Sequence, residues 1–139
     1  MKKNTIYSLI AIAIIIGGGL LSIYTFFGSF NPFYVVVSGS MIPKINIGDI
    51  VIIKNNSFDT LFNNLNVGDI IVFRAPEAKT EDGKPKVIVH RISEIGTFFG
   101  KEVVRTQGDA NPYSIPGIDF PIFMENYVGK VVYVIPKIG

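Results

Sequence analysis

Hydrophobic and polar positions divide the chain in two. From Thr5 to Phe30 no residue is charged, and most are apolar. An α-helix rises about 1.5 Å per residue, so about 20 such residues cross the hydrocarbon core of a bilayer. The run is long enough to span, with about a turn to spare. Beyond it the pattern changes. Val35-Val36-Val37, Ile50–Lys54, Ile70–Phe73 and Tyr127–Ile135 are short, apolar, β-branched runs, the mark of strands between turns. Gly48-Asp49 and Gly68-Asp69 precede two of these runs and read as recurrent strand-entry turns rather than as an internal repeat. Lys86–Ile95 and Lys101–Gln107 read as a hairpin joined around Gly96–Gly100. Asn55–Asn66 reads as a polar loop with Phe58, Leu61, Phe62 and Leu65 at helical spacing. Ala75–Lys86, with Pro76, Gly83 and Pro85, reads as a mobile loop, and Gly108–Pro121 as irregular. The expected fold is mainly β: an N-terminal transmembrane helix followed by a compact β-rich domain with an antiparallel or mixed sheet. Residues 1–30 form the cytoplasmic tip and anchor, and residues 31–139 the extracytoplasmic domain.

Charge orients the anchor. Lys2 and Lys3 precede the apolar run, and the next cation is Lys44. The positive-inside bias puts the N-terminus in the cytoplasm and the domain outside. Tyr24, Phe26, Phe27, Phe30, Phe33 and Tyr34 crowd the outer end as an interfacial aromatic belt. The apolar run exceeds that of a cleaved secretory signal, about 7–15 residues, so a retained single-pass anchor is expected. A chain of 139 residues allows one modest domain plus such an appendage. A net charge of +2 offers nothing to nucleic acid. The absence of cysteine excludes thiol catalysis and Cys-ligated metal sites.

The candidate chemistry lies in three places. Ser38-Gly39-Ser40-Met41-Ile42-Pro43 follows a stiff β-branched approach, and its glycine permits close approach of a ligand. Ser-Gly-Ser also occurs in many inert turns. His90 is the only histidine. Strand alternation puts it on the face of Ile88 and Ile92, with Arg91 on the other. A lone histidine is commonly a satisfied, half-buried side chain; in an apolar setting with a carboxylate it can act as a general base. One histidine does not make a zinc site, so neither metal nor other cofactor is expected. A hairpin centred near Phe98 pairs residue 90 with about residue 106, leaving Asp109 near His90. Asp109 is otherwise an Asx-turn residue. Asp119 is the second candidate, on a segment stiffened by Pro116 and Pro121 and loosened by Gly117. Strand geometry favours Asp109 as the carboxylate orienting His90.

Taken in order, Ser38–Pro43 with Gly48-Asp49, Val89-His90-Arg91-Ile92 and Gly108-Asp109-Ala110-Asn111 resemble the boxes of type I signal peptidases. Histidine at the base position, where bacterial members carry lysine, resembles the archaeal and endoplasmic-reticulum (Sec11-like) branch. Residues 129–139 also resemble that branch. The resemblance implies a membrane-anchored serine endopeptidase that removes N-terminal signal peptides from secreted preproteins. It implies Ser40 as nucleophile, His90 as base, Asp109 or Asp119 as orienting acid, and Ser38 and Met41 at the oxyanion or substrate. It implies small residues at substrate positions −1 and −3. In that branch a further Asp follows the Gly-Asp-Asn box by about half a dozen residues; here those positions are Ser114 and Ile115, and Asp119 comes later. The expected partners are preproteins, the lipid bilayer and a nearby secretion translocon, in an archaeal cell membrane. A non-catalytic anchored β-domain shares the anchor and sheet but has no need of the ordered boxes. A self-cleaving peptidase of the repressor type uses Ser-Lys chemistry and has no anchor.

Overall fold

A computed structural model describes residues 2–27, 31–55 and 65–137. Lys3–Phe27 form one helix, α1, which is exposed throughout from Lys3 to Phe26. It is long and apolar enough to cross a membrane. Its last turn stays near the sheet, with Lys54 Nζ 4.9 Å from the centre of the Phe26 ring. The remainder of the aromatic belt at Phe30, and the helical spacing over Phe58–Phe62, lie outside the described residues.

Among the described residues six strands follow: β1 (Phe33–Val35), β2 (Ile50–Lys54), β3 (Ile70–Lys79), β4 (Pro85–Phe98), β5 (Lys101–Gln107) and β6 (Tyr127–Ile135). They form one antiparallel sheet in the order β1-β2-β6-β3-β4-β5. The expected mainly-β architecture is therefore present. The central strand β3 buries both faces. Val72 joins Val36, Met41, Ile45, Val51 and Ile53 in one cluster, while Ile71 and Phe73 join Leu65, Ile92, Val104 and Ile122 in another. A strand covered on both sides needs apolar residues at every position, which explains the unbroken Ile70–Phe73 run.

The paired Gly-Asp motifs are indeed two copies of one turn. In each, the Asp amide donates to the carbonyl of the Asn three residues earlier, at 3.1 Å for Asp49 and 3.0 Å for Asp69. The Asp carboxylate takes that Asn's own amide in return, at 2.9 and 2.8 Å. Gly48 and Gly68 have φ of 92° and 100°, which a side chain resists, so glycine precedes each aspartate.

Two expectations are corrected. Ala75–Lys86 is not a loop: β3 continues to Lys79 and β4 begins at Pro85, leaving only a short turn. The ladder loses register between Arg74 and Lys79, and the Glu77 amide bonds the Gly117 carbonyl instead. Prolines and polar side chains are tolerated there because the pairing is broken. The second correction concerns the β4–β5 hairpin. It turns at Phe99-Gly100, both with positive φ, and its ladder slips between Ile92 and Glu94. Ile92 therefore opposes Thr106, and Arg91 opposes Gln107. Residue 90 lies beyond the end of β5.

Candidate active site

His90 occupies the point where β5 stops. Toward β3 it pairs with Ile71, and its ring meets Phe73 edge-on. Its other side has no strand partner among the described residues, since β5 pairs with β4 only from Arg91 onward. Alternation places His90 with Ile88 and Ile92, and its 3% exposure shows how fully that face is covered. Into the gap left by β5 come two segments from elsewhere in the chain.

The first is the turn after β1. It carries Ser40, half-buried, with Oγ 2.9 Å from His90 Nε2. The Ser38 hydroxyl is 3.3 Å from the Ser40 hydroxyl. Met41 is buried beneath the turn, and its sulfur accepts the Asp109 amide at 3.3 Å. The second segment is the excursion after β5. The Ala110 amide donates to the Ser40 carbonyl at 2.8 Å, stapling excursion to turn. Gly108 sits between them. A Cβ there would lie 2.7 Å from the Ser40 carbonyl oxygen and 3.0 Å from His90 Nε2. Glycine is needed at this position for close approach of backbone, not for a special φ.

The excursion then returns to β5. Ile122 exchanges two backbone hydrogen bonds with Val104, and the Thr106 amide donates to the Asp119 carbonyl. Asp119 is thereby held like a strand residue, and Gly117 does not loosen it. Its carboxylate, fully buried, lies 2.5 Å from His90 Nδ1. The Thr106 hydroxyl donates to the same oxygen at 2.7 Å, and the Ile115 amide to the other at 2.7 Å. Burial pushes the Asp119 carboxyl upward. Hydrogen bonds from His90, Ile115 and Thr106 outweigh that and hold it below the ordinary value. An ionised carboxylate only accepts, so Nδ1 of the neutral ring carries the hydrogen and Nε2 is the acceptor. The Ser40 hydroxyl must then donate to Nε2.

Asp109 is placed differently. Arg91 grips it with two parallel hydrogen bonds of 2.9 and 2.8 Å, and the same guanidinium donates to the Gly68 carbonyl. The hydrogen bond from Arg91 holds the Asp109 carboxyl below its usual value. Asp109 lies on the Arg91 face and makes no hydrogen bond to His90, so the strand argument that favoured it fails with the register. Sequence reasoning also passed over Thr106 and Gly108 as individuals. Gly108 adjoins Asp109 in the motif singled out for its aspartate, Thr106 lies just upstream of that motif, and only packing reveals their contacts. A groove runs past Ser40. Tyr34–Ser38 and Met41 form one wall and Val87–Val89 the other. Among the described residues no cluster of His, Asp and Glu suited to a metal is present.

Comparison with known proteins bears on this arrangement. Residues 3–109 match the family model described as signal peptidase, peptidase S26. The catalytic subunit SEC11 of the signal peptidase complex of Lachancea thermotolerans is 34% identical over 131 residues, covering 86% of this chain and 67% of that protein. Its counterpart in Dictyostelium discoideum is 34% identical over 136 residues, covering 94% and 68%. That of Arthroderma gypseum is 35% identical over 119 residues, covering 84% and 53%. The matched family segment contains Ser40 and His90 and stops short of Asp119.

Proposed function

The chain belongs to the signal peptidase family, peptidase S26, and removes signal peptides as a membrane-anchored enzyme; we propose that Ser40, His90 and Asp119 are its catalytic triad. The observation that supports this is the chain of hydrogen bonds from the Ser40 hydroxyl through His90 to the buried Asp119. Ser40 Oγ attacks the scissile carbonyl while its proton passes to Nε2. The Asp119 carboxylate stabilises the imidazolium so formed. The proton then goes to the leaving amine, and the peptide bond breaks to leave an acyl-enzyme on Ser40. Water attacks that ester through the same base. The Ser40 amide and the Ser38 hydroxyl are the donors to the oxyanion, each worth roughly 3–4 kcal/mol in such a site.

The substrate is an extended segment of a preprotein. It lies in the groove between Tyr34–Ser38 and Val87–Val89, where, among the described residues, each wall offers a strand edge without a strand partner. Alternate side chains of an extended peptide point the same way, so positions −1 and −3 enter the same apolar wall. Met41 forms part of that wall. Asp109 acts at a distance, with Arg91 bracing the excursion that carries Gly108. In the topology we infer, Lys2 and Lys3 remain in the cytoplasm and residues 31–139 lie outside an archaeal cell membrane. The helix holds the groove beside the exit of the signal peptide near the translocon, which raises the effective concentration of each for the other. Histidine at the base position and a cysteine-free domain support that placement.

The test is cleavage of a model preprotein by the full-length protein in lipid vesicles, beside Ser40→Ala. Cleavage should vanish in the variant while the protein melts as before. A folded Ser40→Ala protein with the parent's rate would remove Ser40 from the chemistry.

A further inference from the structure

Thr106 is the penultimate residue of β5 and is fully buried. Three of its groups converge on the excursion. Its amide donates to the Asp119 carbonyl at 3.0 Å, its hydroxyl donates to Asp119 Oδ1 at 2.7 Å, and its carbonyl accepts the Ser114 hydroxyl at 2.7 Å. The backbone bond fixes where residue 119 is. The hydroxyl bond decides which way its carboxylate turns. Oδ1 is shared between Thr106 and His90, and Oδ2 belongs to the Ile115 amide. Three donors from three segments leave the carboxylate no free rotation about its last bond. Both residues are fully covered, so bulk solvent does not reach this bond.

We propose that Thr106 is the positioning residue of this site: its hydroxyl aims Asp119 Oδ1 at His90 and tempers the grip of that oxygen on the imidazole. The inference rests on the triad reading above. Valine fits a strand position as well as threonine does, so strand propensity alone does not call for the hydroxyl. Its use lies in the charge it meets. A buried carboxylate oxygen with one donor removed holds an imidazolium more tightly. The base is then lost to protonation at a higher pH, and a carboxylate free to turn holds the ring less well in line with Ser40.

The experiment compares full-length Thr106→Val, Thr106→Ser, Thr106→Ala, Asp119→Asn and the double variant Thr106→Val/Asp119→Asn on a model preprotein in vesicles. Thr106→Val should lower kcat about 10- to 100-fold, with KM held within about twofold. The acid limb of its rate profile should move to higher pH. Thr106→Ser should recover both rate and limb. Ser and Ala both lack the methyl group and differ only in the hydroxyl, so that pair decides the matter even where the valine variant does not fold. In the Asp119→Asn background, Thr106→Val should cost little more, because its effect passes through Asp119. Equal losses in the Ser and Ala variants, or a rate loss with an unmoved acid limb, would make Thr106 a packing residue and overturn the inference. A fast Asp119→Asn protein brings down the triad, and this inference with it. A dead Asp119→Asn protein beside a fully active Thr106→Val protein brings down this inference alone.

Discussion

Asp109 and Asp119 leave β5 on the same excursion, and the fold treats them in opposite ways. Asp109 stays at the rim, where Arg91 binds it in a fork that solvent reaches from one side. Asp119 returns to the sheet and is fully buried, with donors from His90, Thr106 and Ile115. The rim pair is bidentate, the geometry in which a surface pair counts most, but water competes for both partly exposed ions. Such pairs contribute about 0–1 kcal/mol. The buried carboxylate has no alternative partners, so each of its hydrogen bonds is needed. The better-formed ion pair thus sits at the rim, while the carboxylate that faces His90 is the buried one.

The comparison breaks most sharply at the carboxylates themselves. Asp119→Asn should lower the preprotein cleavage rate about a thousand- to ten-thousandfold, since an amide leaves the imidazole in the wrong tautomer. Asp109→Asn should cost less than about tenfold, through a loosened excursion. Steady-state cleavage by both variants at one pH checks this, and equal losses would erase the distinction.

Gly108→Ala comes next. Its methyl group would stand 2.7 Å from the Ser40 carbonyl oxygen, 2.8 Å from Asn111 Nδ2 and 3.0 Å from His90 Nε2, so the turn carrying Ser40 must shift. Displacements near 1 Å at reacting groups cost about a hundredfold. Cleavage should fall by that much although Ser40, His90 and Asp119 are all retained. Rates unchanged from the parent would mean that turn and excursion yield without disturbing the site.

The smallest effect is on stability against acid. The Asp119 carboxyl titrates below its ordinary value of 3.8 in the folded protein. A group lowered in this way contributes stability in full above its unfolded value, and the contribution fades as pH falls through the folded value. Melting temperatures of the parent should drop in that range below about pH 4. Asp119→Asn should be less stable at neutral pH and should lose less on acidification. Asp109 is lowered as well, by Arg91, but its exposure to water makes its share of the acid loss the smaller one. Parallel melting curves for the two Asn variants across this range would contradict the contrast.

Much of the fold was legible because local chemistry decides it. The uncharged run over Thr5–Phe30 has no partner to consult, and Lys3–Phe27 is helical as the run requires. Gly48-Asp49 and Gly68-Asp69 close their own turns, so each motif carries its structure within four residues. Tyr127–Ile135 is a strand from end to end. Ala75–Lys86 was misread because its prolines and charges signal a loop, while its extension depends on the broken pairing with β4 and on the distant Gly117.

The same division runs through the site. Order along the chain and residue type marked Ser40 and His90, and alternation put His90 on the Ile92 face. Which aspartate faces His90 depends on the tertiary structure. The hairpin turns at Phe99-Gly100, and the ladder slips between Ile92 and Glu94, so β5 ends before it reaches His90. A slip of one residue sends every later side chain to the other face of a strand. Asp109 therefore meets Arg91, and the space beside His90 is left to whichever segment folds back. That segment is Asp119–Ile122, drawn in by backbone pairing with Val104 and Thr106, contacts that depend on register and chain return rather than on any residue's own preference.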